Sequence, residues 1–333
     1  MKMPLAWIFM AAGFFTGGGS AEAADCGSVS IAEMNWGSAG VAAHVDKLIL
    51  EKGFGCTVTL VPGDTIPTFT SMNEKGEPDV APELWVNSVT AALDAAIAEK
   101  RLIELAPILS EGGVEGWWIP KFVYDRNRNI RTVEDALKHP ELFPAPDGSS
   151  KGAVHNCPAG WSCQVSTENL FRAVGAQNAG FELVGAATAA QLDASIARAF
   201  ETETGWLGYY WAPTAILGKY DMVKLSFGVE HDKAEWDSCT AVADCPAPKV
   251  NSYPTSDAYT VVTKAFAEKA APAMNYMRAR QWTNATIGKV LAWMDENKAG
   301  NEEGAKHFLR EYPDTWMVWV GPDVAAKVEA AVK

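Results

Sequence analysis

The residues in this chain best suited to chemistry are its tryptophans, of which there are 13. Five of them stand beside strand-like runs or tight turns. Trp36 precedes Gly37-Ser38, Trp85 closes the run from Asp79, and Trp117 lies in Glu115-Gly116-Trp117-Trp118. Trp161 sits between Cys157 and Cys163, and Trp211 in Tyr209-Tyr210-Trp211-Ala212-Pro213. A quaternary ammonium group donates no conventional hydrogen bond and spreads its charge over methyl groups. The negative face of an indole holds such a group at roughly 0.5–2 kcal/mol per ring. Three or four rings, together with burial of the methyls, reach the roughly 8 kcal/mol of micromolar binding. Trp236, Trp282, Trp293, Trp316 and Trp319 are read instead as packing residues.

The segment Cys157-Pro158-Ala159-Gly160-Trp161-Ser162-Cys163 adds a second recognition element. A disulfide across it fixes a short loop, and the following residues through Leu170 read as a helix. The amides of Ser162 and Cys163 then lie at a helix N-terminus, which favours an anion such as a carboxylate. A cation on indoles and a carboxylate on amides together describe a zwitterion.

Other chemistries find little support. No G-x-S-x-G elbow, phosphate-binding glycine loop or H-E-x-x-H helix occurs, so a secreted enzyme is the weaker reading. The cysteine spacing matches neither a zinc site nor a C-x-x-C redox pair, and the five histidines are scattered, so no metal and no cofactor are expected. A formal charge of −13 without a basic run argues against nucleic acid and anionic lipid as partners.

These residues must be positioned by elements the sequence also signals. Lys2, the apolar run Leu5–Phe15 and Ala21-Glu22-Ala23 have the layout of a signal peptide over residues 1–24, giving a mature exported chain from about Asp25. Asp25 before Cys26 argues against a lipid anchor. In an oxidising compartment the six cysteines are expected to pair, most simply as Cys157–Cys163, Cys239–Cys245 and Cys26–Cys56, although six cysteines permit 15 arrangements. Strand Val29–Trp36, a helix capped by Ser38 and closed by Gly53, strand Thr57–Val61, a helical stretch Pro67–Asn73 and strand Asp79–Trp85 form an α/β alternation. The alternation restarts after Gly112 with a helix opening at Thr132. A strand over Ala258–Thr263 leads into helices that return to the first lobe. The expected lobes are residues 25–112 with 254–333, and residues 113–253.

The run Asn156–Cys163, with Leu84-Trp85 upstream and Tyr210-Trp211-Ala212-Pro213 downstream, resembles the glycine betaine/proline betaine-binding proteins of ABC importers. The resemblance implies a two-lobed periplasmic-binding-protein fold of type II, with the ligand trapped between lobes. It implies an aromatic box of Trp85, Trp161 and Trp211, a ligand carboxylate on the amides of Ser162 and Cys163, and a membrane permease as partner of a monomeric periplasmic protein. Val89 occupies a position where the enteric type has a histidine. Choline-binding relatives use aromatics resembling Trp36 and Trp117, but with an aspartate where this chain has Ser38. Choline or carnitine is accordingly the alternative ligand.

Overall fold

The computed structural model describes residues 26–87 and 89–333. The expected leader, residues 1–24, lies outside them. Eleven strands are found among the described residues: β1 (Ser28–Met34), β2 (Thr57–Gly63), β3 (Val80–Trp85), β4 (Leu102–Pro107), β5 (Gly113–Pro120), β6 (Gly152–His155), β7 (Phe181–Val184), β8 (Gly208–Ala212), β9 (Met222–Lys224), β10 (Thr255–Ser256) and β11 (Ala258–Thr263). They build two sheets with helices around them, the two-lobed type II arrangement expected. The first sheet runs β2-β1-β3-β11-β4, the second β10-β5-β8-β6-β7 with β9 beside β5.

In the first sheet β1 is parallel to β2 and β3, and only the late strand β11 runs antiparallel, between β3 and β4. Every side chain of β3 is buried, as expected for a central strand covered on both faces. The chain passes between sheets after Pro107 and again around Asp257. That second passage comes later than the sequence suggests, because Thr255 and Ser256 pair with Val114 and Gly113 in the second sheet.

Helix Gly37–Leu48 buries Val41 and Val45 and packs on helix Asn301–Glu311 near the C-terminus. It starts earlier than its serine suggests. Trp36 is the N-cap residue and makes no side-chain cap. Ser38 lies inside the first turn, where its hydroxyl donates instead to Glu83 Oε1 at 2.8 Å. Because the helix already begins at Gly37, Ser38 lies past the cap position, and its hydroxyl is free to donate to the Glu83 carboxyl. At Thr132 the capping box with Asp135 forms as the sequence indicates, opening a single turn, Val133–Ala136. Helix Asn284–Asn297 buries Ile287, Val290, Leu291 and Met294 along one stripe.

Three disulfides are present: Cys26–Cys56, Cys157–Cys163 and Cys239–Cys245. Among the described residues no helix is long and apolar enough to cross a membrane, and no cluster of three or more metal-ligating side chains occurs.

One surface of the second lobe carries a testable electrostatic cost. Asp193, on helix Ala189–Glu201, accepts a 2.5 Å hydrogen bond from the Tyr210 hydroxyl. Burial, helped by the nearby Asp295 charge, pushes its carboxyl up to about 6. Because the folded value lies above the unfolded one, the folded state holds the proton more tightly, and stability falls as pH rises through about 6. Asp193→Asn keeps an acceptor for Tyr210 without the charge. It should leave stability at pH 4 almost unchanged and raise it at pH 7 by about 1–3 kcal/mol, read from urea unfolding at both pH values.

Candidate functional site

Where the lobes face each other, four tryptophans converge. Trp36 follows β1 and Trp85 ends β3, so both project from the carboxyl ends of first-sheet strands, where open α/β sheets place their ligand crevices. Trp161 is the N-cap residue of helix Ser162–Ala173, and Trp211 stands near the end of β8. The Trp161 ring meets Trp211 edge-on at 4.9 Å between centroids and Trp36 at 5.3 Å. The outer edge of the Trp85 indole abuts Gly113 of β5, where an added Cβ would sit 2.2 Å from the ring. Each of the four is only 5–6 % exposed, so the lobes stand closed around them.

The four rings line a single small cavity. Thr65, Glu115, Ser162, Cys163 and Tyr209 complete its wall, and no basic side chain is among them. The chemistry around it is unequal at its two ends. Indole faces and the buried Glu115 carboxylate favour a positive group, whereas backbone amides and the Thr65 and Ser162 hydroxyls are available to answer a negative one.

Those amides belong to helix Ser162–Ala173, whose first turn has no acceptors of its own within the helix. Its N-cap residue, Trp161, contributes no side-chain cap, and Ser162 and Cys163, the first two residues of the helix, both line the cavity. The Cys157–Cys163 disulfide and the turn at Gly160, at a φ of +89° that favours glycine, hold the loop leading into the helix. Gly160 also accepts a 3.1 Å hydrogen bond from the Ile66 amide of the other lobe.

Two buried carboxylates hold the walls in place. Glu83 Oε1 accepts from the indole N–H of Trp36 at 2.7 Å and of Trp85 at 3.0 Å, besides Ser38. Burial pushes the Glu83 carboxyl up, opposed by these three donors and by the Arg280 charge. Glu115 accepts from the Tyr209 hydroxyl at 2.6 Å, from Asn87 Nδ2 at 2.9 Å and from the Ser256 hydroxyl. Its carboxyl is likewise pushed up by burial and pulled back by those bonds. Asn87 reaches Glu115 from the first lobe, and the Trp161 indole donates to Asn35 Oδ1 across the cleft at 2.6 Å. Lys219 and Asp295 pair at 3.2 Å further out. These bonds tie the lobes together on either side of the cavity.

Of the sequence candidates, Trp36, Trp85, Trp161, Trp211, Ser162 and Cys163 come together on this cavity, and Trp117 does not. Trp117 stands opposite Tyr209 in the β5–β8 register, fully buried with its ring on Phe227 at 5.3 Å. Tyr209 is the member of that pair that reaches the cavity. Val89, beyond β3, is buried and does not line it. Glu83, Glu115, Tyr209 and Thr65 escaped the sequence reading. A usable signal existed for the first two, since each is an acidic residue two positions before a tryptophan in an apolar strand, hence on the same face.

Two lobes closed on a small cavity of indoles and helix-terminal amides define a solute-binding protein. Residues 27–311 match the family model for the substrate-binding domain of ABC-type glycine betaine transport systems, and the chain belongs to that family. Solved structures agree on the fold. The glycine betaine/L-proline-binding protein (ProX) of Borrelia burgdorferi superposes with a TM-score of 0.70 at 18 % identity, covering 90 % of this chain and 99 % of that one. An ABC-transporter choline-binding protein in complex with choline gives 0.68 at 17 % identity, covering 92 % and 99 %. Lactococcal OpuAC, closed on glycine betaine, gives 0.66 at 16 % identity, covering 88 % and 99 %. No curated protein sequence matches the chain.

Proposed function

We propose that this protein captures a small quaternary-ammonium zwitterion of the glycine betaine or proline betaine type and hands it to an ABC permease, as an exported, periplasmic, monomeric binding component without catalytic activity. The observation that carries this reading is the meeting of four tryptophans with the Ser162/Cys163 helix terminus on one cavity that has no basic side chain. The ammonium group sits on the indole faces and the carboxylate on the two amides. The crossings near residues 108–112 and at Asp257 act as the hinge between a lobe of residues 26–107 with 258–333 and a lobe of residues 113–256.

A ligand that binds only the closed, folded protein stabilises it by mass action, by about 2.7 kcal/mol at a hundredfold excess over Kd. Melting the oxidised mature protein with glycine betaine, proline betaine, carnitine, choline and ectoine in parallel tests the reading. A betaine is expected to give the largest upward shift, and no shift with any quaternary ammonium would sink the proposal. Choline is the second reading, favoured by one observation: Glu115 lines the cavity and could accept a ligand hydroxyl. A larger shift with choline than with either betaine would select it.

The disulfide beside the amides is expected to matter for binding as well as for folding. It closes a loop with a sequence separation of 6, for which chain entropy gives about 2 kcal/mol of stability. The paired change Cys157→Ser with Cys163→Ser should lower stability by about that amount. It should also weaken betaine binding at least tenfold at a temperature where the variant remains folded, because the loop that aims the amides is no longer tied.

A further inference from the structure

Glu83 is an unusual residue to find inside a fully buried central strand. It is 0 % exposed, and three hydrogen-bond donors converge on its Oε1: two indole N–H groups and the Ser38 hydroxyl. Oε2 is equally buried and has no hydrogen-bond partner. The surroundings therefore offer donors and positive charge but no acceptor for a carboxylic proton. Arg280, also 0 % exposed, donates to the carbonyl of the preceding Pro82 at 3.1 Å. A neutral amide would suffice if the only task were to fix two rings.

An anion accepting from an indole N–H draws the proton toward itself and enriches the ring face in negative charge, and bonds of this kind reinforce one another in a dry interior. The attraction of that face for a cation rises accordingly. We propose that Glu83 is a positioning residue for ligand recognition: as a carboxylate it holds Trp36 and Trp85 on one oxygen and strengthens the preference of their faces for a cationic head group. The inference rests on the quaternary-ammonium reading above and adds which residue tunes it. Glu83 lines no part of the cavity itself and acts through the two indoles.

The test compares glycine betaine with the tert-butylacetate anion, the same molecule with carbon in place of nitrogen, by calorimetry and by competition at millimolar concentration. In wild type, betaine is expected to bind more tightly than its carbon isostere. Glu83→Gln keeps an acceptor and the side-chain shape but removes the charge. It should weaken betaine about tenfold while leaving the isostere within twofold, so the preference between them falls about tenfold. Equal loss for both ligands would mean that Glu83 only holds the rings, and no loss for either would mean that it does not matter. Both results overturn the proposal. A wild type that binds no quaternary ammonium at all removes the reading on which the inference rests.

If Glu83→Gln does not fold, the wild-type protein supplies a second measurement that needs no ligand. In proton–nitrogen correlation spectra assigned with Trp36→Phe and Trp85→Phe, the two indole N–H protons should lie well downfield of the solvent-exposed indoles and exchange slowly. Both signals lying among the exposed indoles would overturn the proposal.

Discussion

Trp161→Ala or Trp211→Ala is expected to abolish measurable betaine binding, weakening it at least a hundredfold. Each ring contributes roughly 0.5–2 kcal/mol to a bound cation, and its loss also leaves part of the methyl surface facing water. Trp161 carries a further share, since its indole bridges the cleft to Asn35 and a net intramolecular hydrogen bond is worth about 0.5–1.5 kcal/mol. Together these reach about 3–4 kcal/mol, a hundred- to thousandfold change in affinity. Trp293 supplies the control. It stacks on His307 at 3.9 Å in the first lobe, away from the cavity, and Trp293→Ala should change stability more than affinity. Fluorescence titration and melting of the three variants side by side separate the two effects. Retained binding in both box variants would place the site elsewhere.

The largest loss of stability is expected from Arg280→Ala. Arg280 and Asp46 are both 0 % exposed, and the guanidinium Nε lies 2.8 Å from Asp46 Oδ1. Asp46 comes from helix Gly37–Leu48 and also accepts from the Tyr276 hydroxyl, whereas Arg280 donates to Thr260 Oγ1 at 2.7 Å and to the Pro82 carbonyl. The pair thus joins an early helix, two strands of the first sheet and the late helical segment. Removing one member leaves an uncompensated charge in the core, which costs about 3–5 kcal/mol. That is a large share of the 5–15 kcal/mol by which domains are usually stable. Urea unfolding of Arg280→Ala should show the full cost, and the double change Asp46→Leu with Arg280→Met should recover part of it, because Asp46 no longer stands as a lone buried charge while Glu83 still loses the Arg280 charge. A loss below about 1 kcal/mol in the single variant would contradict this account of the core.

Much of this was legible in the sequence because it depends on local pattern. The alternation of strands and helices, the capping box at Thr132, the strand Ala258–Thr263 and the apolar stripe of helix Asn284–Asn297 are set by neighbours a few residues apart. The strand-end tryptophans were equally visible. What escaped depends on pairing across the sheet or on partners far along the chain. Ser38 looked like a helix cap until Glu83, 45 residues later, came within reach of its hydroxyl. Trp117 looked like Trp85 or Trp211, but it lies two residues beyond Glu115 in β5, fully buried with its ring on Phe227, and does not reach the cavity. Glu115 owes its place on the wall to Ser256, 141 residues later, and to Asn87 from the other lobe. A sequence shows which strand a residue belongs to before it shows how deep that residue lies in the sheet.

The measurement that tests the central claim most directly is calorimetric titration of the oxidised mature protein with glycine betaine and proline betaine. The account predicts saturable one-to-one binding of at least one of them at micromolar concentration, lost in Trp161→Ala. Heat that never saturates with any quaternary ammonium, alongside saturable binding of an amino acid or polyamine that survives Trp161→Ala, would contradict it.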